Sequence, residues 1–363
     1  MSGPKQAVWA IEPHTRAKHV ILRRYLQAWL PIISNSSSRV VFIDGFAGPG
    51  VYEGGEEGSP VIAMRALIDH AHQKAIKSSV HFLFFEDRKD RAEQLKISIA
   101  PLESQLPGKS SATVMQGEYA ALLARALDEI EANGKQLAPS LVFIDPFGVS
   151  GLPMSLVRRV LATPSCEVLI NIMTGFMHRF VGSAEFEPHM DAVYGTGDWR
   201  QARQLDGSAR IDFLRRLYVN ELSRNDVKGR AEFVRMFSMH NKSDQPIYDL
   251  VFATNHPLGI DRMKDAMWKV DSSGGERFSD ATDPQQATLL DGGETHDAGL
   301  VSMLCENFTG QSVLWPTVED RIRRSPFRIL KNSLKRAAKD SSAGFVIECL
   351  GRGIDATTRF RFT

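Results

Sequence analysis

The 363-residue sequence contains only three cysteines, Cys166, Cys305 and Cys349, and none of them forms a CxxC pair. This number and spacing argue against a disulfide framework and a zinc knuckle, and they favour a reducing compartment. The ten histidines form no HExxH motif and show no spacing typical of metal ligands. The sequence therefore predicts no metal site.

Long hydrophobic runs are also missing. The apolar run near the N-terminus is interrupted by four basic residues, which is not the pattern of a signal peptide: Arg16, Lys18, Arg23 and Arg24. No stretch approaches the roughly 18 uncharged apolar residues that a membrane span requires. We therefore expect a soluble cytoplasmic protein without membrane contact. The net charge of only +1 indicates little about its partners.

The sequence does contain a regular alternation of short apolar runs and amphipathic segments. After a first helix at about 14–30, five strands are predicted at 40–43, 80–85, 112–115, 141–144 and 167–172. Helices are predicted between them at 59–77, 89–99, 119–132 and 153–162. Continuous apolar strands that alternate with helices indicate a parallel sheet covered on both faces, so we predict an α/β, Rossmann-like fold.

The alternation ends after the fifth strand, and composition divides the remaining chain. A helical insertion at about 174–232 and strands at 233–239 and 248–253 complete a predicted domain over 1–270. Residues 271–298 contain seven acidic residues and a single basic one, and we expect a flexible acidic linker there. Residues 299–363 are predicted to form three helices, the third at 325–339, and a hairpin at 345–350 and 357–362. That order is typical of a small winged-helix-like domain.

Three predicted strands each end in an acidic residue, namely Asp44, Glu86 and Asp145. Ligands of open α/β sheets bind beyond the carboxyl ends of the strands, so these acids are expected to meet in one site. The turn 44–50 carries three glycines where the backbone must approach a ligand closely. An acid at its mouth would repel a diphosphate but can hold an ammonium group, and Glu86 can accept hydrogen bonds from both hydroxyls of a ribose.

The loop Asp145-Pro146-Phe147-Gly148 is the candidate for chemistry. Proline fixes a rigid turn outside the sheet, and Phe147 can stack on a planar base. In a site that methylates amino groups, the Asp145 carboxylate and a neighbouring carbonyl would accept hydrogen bonds from the target NH₂ and orient its lone pair. The simpler interpretation is an Asp-Pro turn that closes a strand. Similarly, residues 116–118 either contact an adenine ring or are ordinary surface.

These motifs resemble those of the class I S-adenosylmethionine (SAM)-dependent methyltransferases. The segment 44–50 resembles their first motif in the variant D-x-F-A-G-x-G, Glu86 matches the ribose-binding acid, and 145–147 resembles D-P-P-Y/F with Phe147 at the second proline. The resemblance implies a class I methyltransferase sheet, SAM as cofactor, and Asp145, Pro146 and Phe147 as catalytic residues. The implied cofactor-binding residues are Asp44, Gly45, Phe46, Ala47, Gly48, Gly50, Glu86, Asp87, Gly117 and Glu118.

A wider set of motifs over about residues 10–270 is similar to the three-Cys-motif partner protein family (TcmP). The set comprises Thr15, Lys18 and Tyr25-Leu26, the segment 42–50, Gly58-Ser59-Pro60 and the segment 143–148. Membership would imply a methyltransferase-like fold with a winged helix in a bacterial or phage mobile element. It would also imply a protein partner of the three-Cys-motif type, related to radical-SAM enzymes.

The C-terminal segment is basic, with eleven basic and five acidic residues between 314 and 363. Arg328, Lys331 and Lys335 have the spacing i, i+3, i+7 on the predicted third helix. Together with Arg336 they are predicted to contact DNA or RNA as a recognition helix does. The alternatives are a solvated basic face and a face that binds an acidic protein.

Two functions therefore remain open. The first is a SAM-dependent methyltransferase that acts on nucleic acid, with an exocyclic amino group of a base as the target. The second is a non-catalytic methyltransferase fold that binds DNA as the partner of a three-Cys-motif protein. A nuclease is not favoured, because the strand ends carry no D-x-D or E-x-K pattern. His14, Thr15 and Lys18 either reach the cofactor from the first helix or form plain surface.

Overall fold

An open eight-stranded sheet forms the centre of the larger part of the molecule. The computed structural model describes residue 4 and residues 6–148, 151–282, 293–339, 344–348 and 353–363. The strands of this sheet are β1 (Arg39–Asp44), β2 (Ser79–Glu86), β3 (Ser111–Gln116), β4 (Ser140–Ile144), β5 (Cys166–Ile172), β6 (Phe233–His240), β7 (Pro246–Thr254) and β8 (Arg277–Ser279). The accompanying helices are α1 (Pro13–Ser34), α2 (Ser59–Ile68), α3 (Lys89–Glu103), α4 (Tyr119–Ala132), α5 (Met154–Leu161), α6 (Thr174–Met177), α7 (Glu187–Tyr194), α8 (Gly207–Ser223) and α9 (Pro257–Trp268).

The strand order identifies the type of sheet. The order is β3-β2-β1-β4-β5-β7-β6-β8, and β7 runs antiparallel to both of its neighbours while the other pairs are parallel. This is the mixed, Rossmann-like sheet of the methyltransferase type, so the predicted fold class is confirmed. Strand β1 lies between β2 and β4, and the chain continues from β1 to β2. The order of the strands therefore reverses between β1 and β4, and a crevice forms at the carboxyl ends of these two strands.

Helices cover both faces of the sheet, as the continuous apolar strands predicted. The helices α1, α2, α3 and α9 pack on one face, around side chains such as Phe42 and Phe252. The helices α4, α5, α7 and α8 pack on the other, around Val142 and Ile170. Every residue of β4 and β5 is buried, which explains why their sequences show no alternation of polar and apolar residues.

Two helices in this domain differ from the sequence prediction. The helix α2 ends at Ile68 rather than near residue 77, because the amide of Gln73 folds back and donates to the carbonyl of Ile68 at 2.8 Å. The helix α9 was not predicted, although it begins at Pro257, a favourable first position, and His256 caps it by accepting the N–H of Leu258. The insertion between β5 and β6 is helical, as predicted.

The segment predicted to be a linker is partly built into the sheet. Strand β8 pairs with β6, and the preceding loop is fixed by the carboxylate of Asp271, which accepts N–H groups from Ser273, Glu276 and Arg277. A polar composition here reflects a hydrogen-bonded loop rather than a free tether, so the prediction was wrong for residues 271–282. Residues 283–292 of the predicted linker lie outside the described residues, and residues 293–298 belong to a helix, so the prediction was also wrong for them.

The C-terminal elements follow the winged-helix order. They are α10 (Gly293–Phe308), β9 (Ser312–Leu314), α11 (Trp315–Arg323), α12 (Lys331–Ala337), β10 (Phe345–Glu348) and β11 (Arg359–Phe362). The strands form an antiparallel sheet in the order β10-β11-β9, and Trp315, Leu334 and Phe360 lie in a separate core. The hairpin was predicted, whereas the short strand β9 was not.

The third helix of this unit is shorter than predicted, because the chain before it binds α9. The ammonium group of Lys264, which is almost completely buried, donates to the carbonyls of Ile322 at 2.8 Å and Phe327 at 2.6 Å. The indole N–H of Trp268 donates to the carbonyl of Pro326 at 2.8 Å. Proline also disfavours a helical residue before it. The helix therefore begins at Lys331 instead of 325.

Candidate functional site

A pocket of about 410 Å³ opens at the carboxyl end of the sheet, where the three acidic strand ends were predicted to meet. Its walls are the turn after β1, the loop after β4, the ends of β5 and β7, and the chain from residue 9 into α1. This volume falls in the range of about 300–1,000 Å³ that is usual for small-molecule and cofactor sites. Of the predicted site residues, those on its wall are Phe46, Ala47, Gly48, Gly50, Asp145, Pro146 and Phe147.

Glycine is required at two positions of the turn after β1. Gly48 and Gly50 have φ angles of 61° and 78°, in the left-handed region that other residues rarely adopt. A side chain at Gly50 would also lie 2.8 Å from Leu95. Gly45 has a different role, since a Cβ there would lie 2.3 Å from the Tyr119 ring, so its glycine permits close packing below the pocket.

Two of the predicted acids lie beneath this turn rather than on the pocket wall. Asp44 is fully buried and accepts the N–H of Phe46 at 3.1 Å, while its Oδ2 has no hydrogen-bond partner among the described residues. Glu86 accepts the N–H of Gly48 at 2.9 Å and that of Arg88 at 3.0 Å. Burial raises the pKa of each carboxyl to about 7. Both acids therefore support the turn and change charge near neutral pH.

The remaining residues predicted to bind the cofactor lie outside the pocket wall. Asp87 is exposed at the end of β2. The N–H of Gly117 donates to the carbonyl of Glu86 at 3.0 Å, and Glu118 is an exposed residue at the start of α4. Their roles in binding an adenine or ribose stay predictions.

Asp145 is held by two partners that the sequence did not reveal. Its Oδ2 forms an ion pair with Lys18 of α1, whose side chain is buried, and its Oδ1 accepts a hydrogen bond from Asn171 Nδ2 at 2.6 Å. The Oδ1 of Asn171 has no partner among the described residues, and Asn171 lies on the pocket wall. The pocket wall thus contains a fixed carboxylate next to a buried acceptor that has no donor among the described residues.

Phe147 is exposed, as predicted, and belongs to an aromatic group at the pocket mouth. Its ring lies 5.4 Å from that of Trp9 in an edge-to-face arrangement, and the guanidinium of Arg91 lies 4.6 Å from the Trp9 ring. Arg91 also binds the carbonyl of Pro4, and Glu53 donates its N–H to the carbonyl of Trp9 at 2.9 Å. The N-terminal segment therefore covers one side of the pocket. In the sequence, Trp9 was the only feature of this weakly patterned segment that indicated a contact with the pocket.

The first helix also faces the pocket. The sequence left open whether His14, Thr15 and Lys18 reach a ligand or form plain surface, and the structure places all three on the pocket wall.

The described residues contain no group of three or more histidine, cysteine, aspartate or glutamate side chains that could hold a metal ion. Among the same residues, no helix combines the length and apolar composition that crossing a lipid bilayer requires.

The basic residues of the winged helix do not form the predicted single stripe. Arg328 precedes α12, and its guanidinium lies 5.3 Å from the ring of Trp268 on α9. Lys331 donates to the carbonyl of Ile354 at 3.0 Å. Arg336 pairs with Asp297 at 3.1 Å but is largely exposed. The prediction that Arg328 lies on the same helix as Lys331 and Lys335 was wrong, because the helix begins after Arg328. Nucleic-acid contact by Arg328, Lys331, Lys335 and Arg336 stays a prediction.

Comparison with known proteins adds little to this geometry. None of the protein-family models and none of the curated proteins matches the chain, so the resemblance to TcmP has no family match behind it. An O-methyltransferase from Bacillus cereus in complex with S-adenosylhomocysteine (SAH) aligns with a TM-score of 0.35 and 13% identity over 64% of this chain and 80% of its own. A protein assigned as an O-methyltransferase of Klebsiella pneumoniae aligns with a TM-score of 0.31 and 10% identity. The alignment covers 68% of this chain and 91% of that protein. The fold is methyltransferase-like. That assignment rests on the strand order, since likenesses this distant carry no functional argument.

Proposed function

We propose that this protein binds SAM in the pocket after β1 and β4 and methylates an exocyclic amino group of a base in DNA or RNA. One observation supports this most: two groups of residues line the same pocket. The glycine turn, with positive φ angles at Gly48 and Gly50, forms one wall, and Asp145 with its partner Asn171 forms another. Asp44 lies beneath this turn and supports it by accepting the N–H of Phe46. Bound SAM would supply an activated methyl group on its sulfonium.

The protein's own residues would bind and orient the acceptor base. Asn171 Oδ1 and the Asp145 carboxylate would accept hydrogen bonds from the target NH₂, which directs the nitrogen lone pair. The exposed ring of Phe147 would stack on the base. Because a base inside a duplex cannot reach such a pocket, the acceptor would be single-stranded or flipped out.

Replacing Glu86 should weaken SAH binding and change its pH dependence. Hydrogen bonds to a charged group are worth roughly 1.5–3 kcal/mol, so we expect Glu86→Ala to reduce affinity at least tenfold. Since burial raises the pKa of Glu86 to about 7, binding to the carboxylate form should tighten as pH rises through 7. Calorimetry with SAH between pH 6 and 8 measures both effects.

Two variants control this experiment. Glu86→Gln preserves an acceptor for the N–H of Gly48 and should show a flatter pH dependence than the wild type. Glu93→Gln removes an exposed carboxylate on α3 and should change neither quantity. A Glu86→Ala protein that binds SAH as tightly as the wild type would count against the ribose-binding role.

One observation supports the non-catalytic alternative. Both oxygens of Asp145 already have partners, Lys18 and Asn171, so the carboxylate has less capacity to bind a substrate than in the motif it resembles. Under this alternative the protein is a DNA-binding partner of a three-Cys-motif protein. SAH binding without methyl transfer to any DNA or RNA, together with a complex containing such a protein, would favour it.

The winged helix is the proposed nucleic-acid contact, and binding should depend steeply on salt. Phosphate contacts release counterions, with a slope of log K against log salt near −0.9 per contact on duplex DNA. We expect the double variant Lys335→Ala/Arg336→Ala to reduce that slope by about 1–2 and to weaken binding to all sequences similarly. Fluorescence anisotropy with labelled DNA at several salt concentrations measures this.

The matched control is Lys96→Ala/Lys109→Ala, which removes two exposed lysines of the larger domain. It should bind as the wild type does. An unchanged slope in the winged-helix variant would place the nucleic-acid contact elsewhere.

A further inference from the structure

A histidine and an aspartate from distant parts of the chain meet at the pocket. His14 lies in the first turn of α1 and forms part of the pocket wall, and its Nδ1 lies 3.0 Å from Oδ2 of Asp280, just after β8. Both side chains are mostly buried, with 16% and 9% of their surface exposed. This arrangement fixes which ring nitrogen carries the proton: Nδ1–H donates to the carboxylate, and Nε2 is left to accept a proton.

Among the described residues, the other contacts of His14 involve its ring face and its backbone carbonyl rather than Nε2. The ring of Tyr248 lies 5.5 Å away in an edge-to-face arrangement, and its hydroxyl donates to the backbone carbonyl of His14 at 3.2 Å. Burial raises the pKa of Tyr248 well above its usual range, so this hydroxyl stays protonated. A histidine held by a carboxylate through Nδ1, at the wall of a pocket, is the arrangement of a general base.

The sheet order puts this pair on the acceptor side of the pocket. The glycine turn follows β1, Asp145 follows β4, and Tyr248 lies on β7 beyond β5. His14 is therefore separated from the glycine turn by the Asp145 loop. The charged or titratable groups around the ring are Asp280 after β8, Tyr248 on β7, Lys18 one turn along α1, Asp145 beyond Lys18, and Glu12 at the start of α1.

We propose that His14 is a catalytic residue that accepts the proton lost by the acceptor group on methylation, and that Asp280 is its positioning residue. This inference rests on the proposed methyl transfer. The lone pair of the acceptor nitrogen would form the new bond to the methyl carbon, while the carbon–sulfur bond breaks and its electron pair leaves with sulfur. The N–H bond of the acceptor breaks, its proton goes to Nε2 of His14, and its electron pair becomes the new lone pair of the nitrogen. The imidazole gains one positive charge, which the Asp280 carboxylate stabilises.

Nitrogen-15 NMR of histidine-labelled protein tests the geometry without any turnover. The His14 signals, assigned by their loss in His14→Asn, should report a neutral ring with its proton on Nδ1. In Asp280→Asn, the asparagine amide can donate to the ring, so the Nδ1–H form should diminish. A wild-type ring protonated on Nε2, or a tautomer that does not respond to Asp280→Asn, would overturn the assignment.

Single-turnover methyl transfer as a function of pH tests the role. We expect His14→Asn to slow transfer about 100-fold and to remove the decline of the wild-type rate at acidic pH, with SAH affinity within about threefold of the wild type. His81→Asn is the control, since the Nδ1 of His81 lies 2.9 Å from Ser111 Oγ and His81 is not part of the pocket lining. It should change neither rate nor profile.

The outcomes separate the two proposals. If His14→Asn transfers methyl groups at the wild-type rate with an unchanged pH profile, the role of His14 is wrong and the methyltransferase proposal stands. If the wild type binds SAH but transfers nothing to single-stranded DNA or RNA, the methyltransferase proposal fails and the role of His14 fails with it.

Discussion

Replacing Asp145 by alanine should slow methyl transfer by a factor of about 100 or more while SAH affinity stays within about threefold of the wild type. The carboxylate lies on the pocket wall between Lys18 and Asn171, so its loss removes the group that fixes Asn171 and orients the acceptor amine. The turn that carries Gly48 and Gly50 is unchanged by the substitution. Calorimetry and single-turnover transfer measure the two quantities separately.

The alanine variant also leaves the ammonium group of Lys18 buried without its partner, which destabilises a protein by about 3–5 kcal/mol. Asp145→Asn preserves the size of the side chain and an acceptor for Asn171, although its uncharged amide still leaves Lys18 without a counter-charge. Lys18→Met/Asp145→Asn removes both charges together. If these two folded variants keep the wild-type transfer rate, Asp145 is a structural residue and the catalytic role is wrong.

Replacing Lys264 by methionine should lower the free energy of unfolding by about 3 kcal/mol at pH 7. The ammonium group is buried between α9 and the end of α11, and its hydrogen bonds to the carbonyls of Ile322 and Phe327 would be lost in the variant. The winged helix would also lose a principal contact with the larger domain. Urea denaturation followed by circular dichroism measures the change.

The effect of Lys264 should depend on pH in a defined direction. Burial lowers its pKa from 10.5 to about 7, so between those values the folded protein binds fewer protons than the unfolded chain. Stability from this residue should therefore increase as pH rises from 7 towards 10, and the difference between the wild type and Lys264→Met should widen. Lys269→Met, at the exposed end of the same helix, should show no such trend. Equal unfolding free energies for the wild type and Lys264→Met across this range would contradict the docking role.

The parts of the fold that the sequence predicted are those governed by local pattern. The strands β4 and β5 are mostly apolar because both faces of the sheet are covered, and such runs can be recognised without knowledge of their neighbours. The acids at the ends of β1, β2 and β4 follow from strand direction alone. Of these three acids, Asp145 lies on the pocket wall, whereas Asp44 and Glu86 lie beneath the glycine turn, and their roles in binding stay predictions.

The parts that the sequence did not predict depend on contacts between distant residues. Lys18 and Asp145 are 127 residues apart, and His14 and Asp280 are 266 apart, so no local spacing relates them. Arg328 was placed on a helix by its spacing, yet the backbone there is drawn to Lys264 and Trp268 of another domain. Tertiary hydrogen bonds overrode the helical pattern at that point.

The most direct test of the central proposal is transfer of tritium from methyl-labelled SAM to nucleic acid by the wild-type protein. Single-stranded DNA and RNA, duplex DNA and a duplex with an unpaired base should be compared, with Asp145→Asn as the control. Incorporation into the purified nucleic acid, highest for single-stranded or unpaired bases and about 100-fold lower for the variant, is the expected result. Saturable binding of labelled SAM with incorporation at the background level for every acceptor would contradict the proposal.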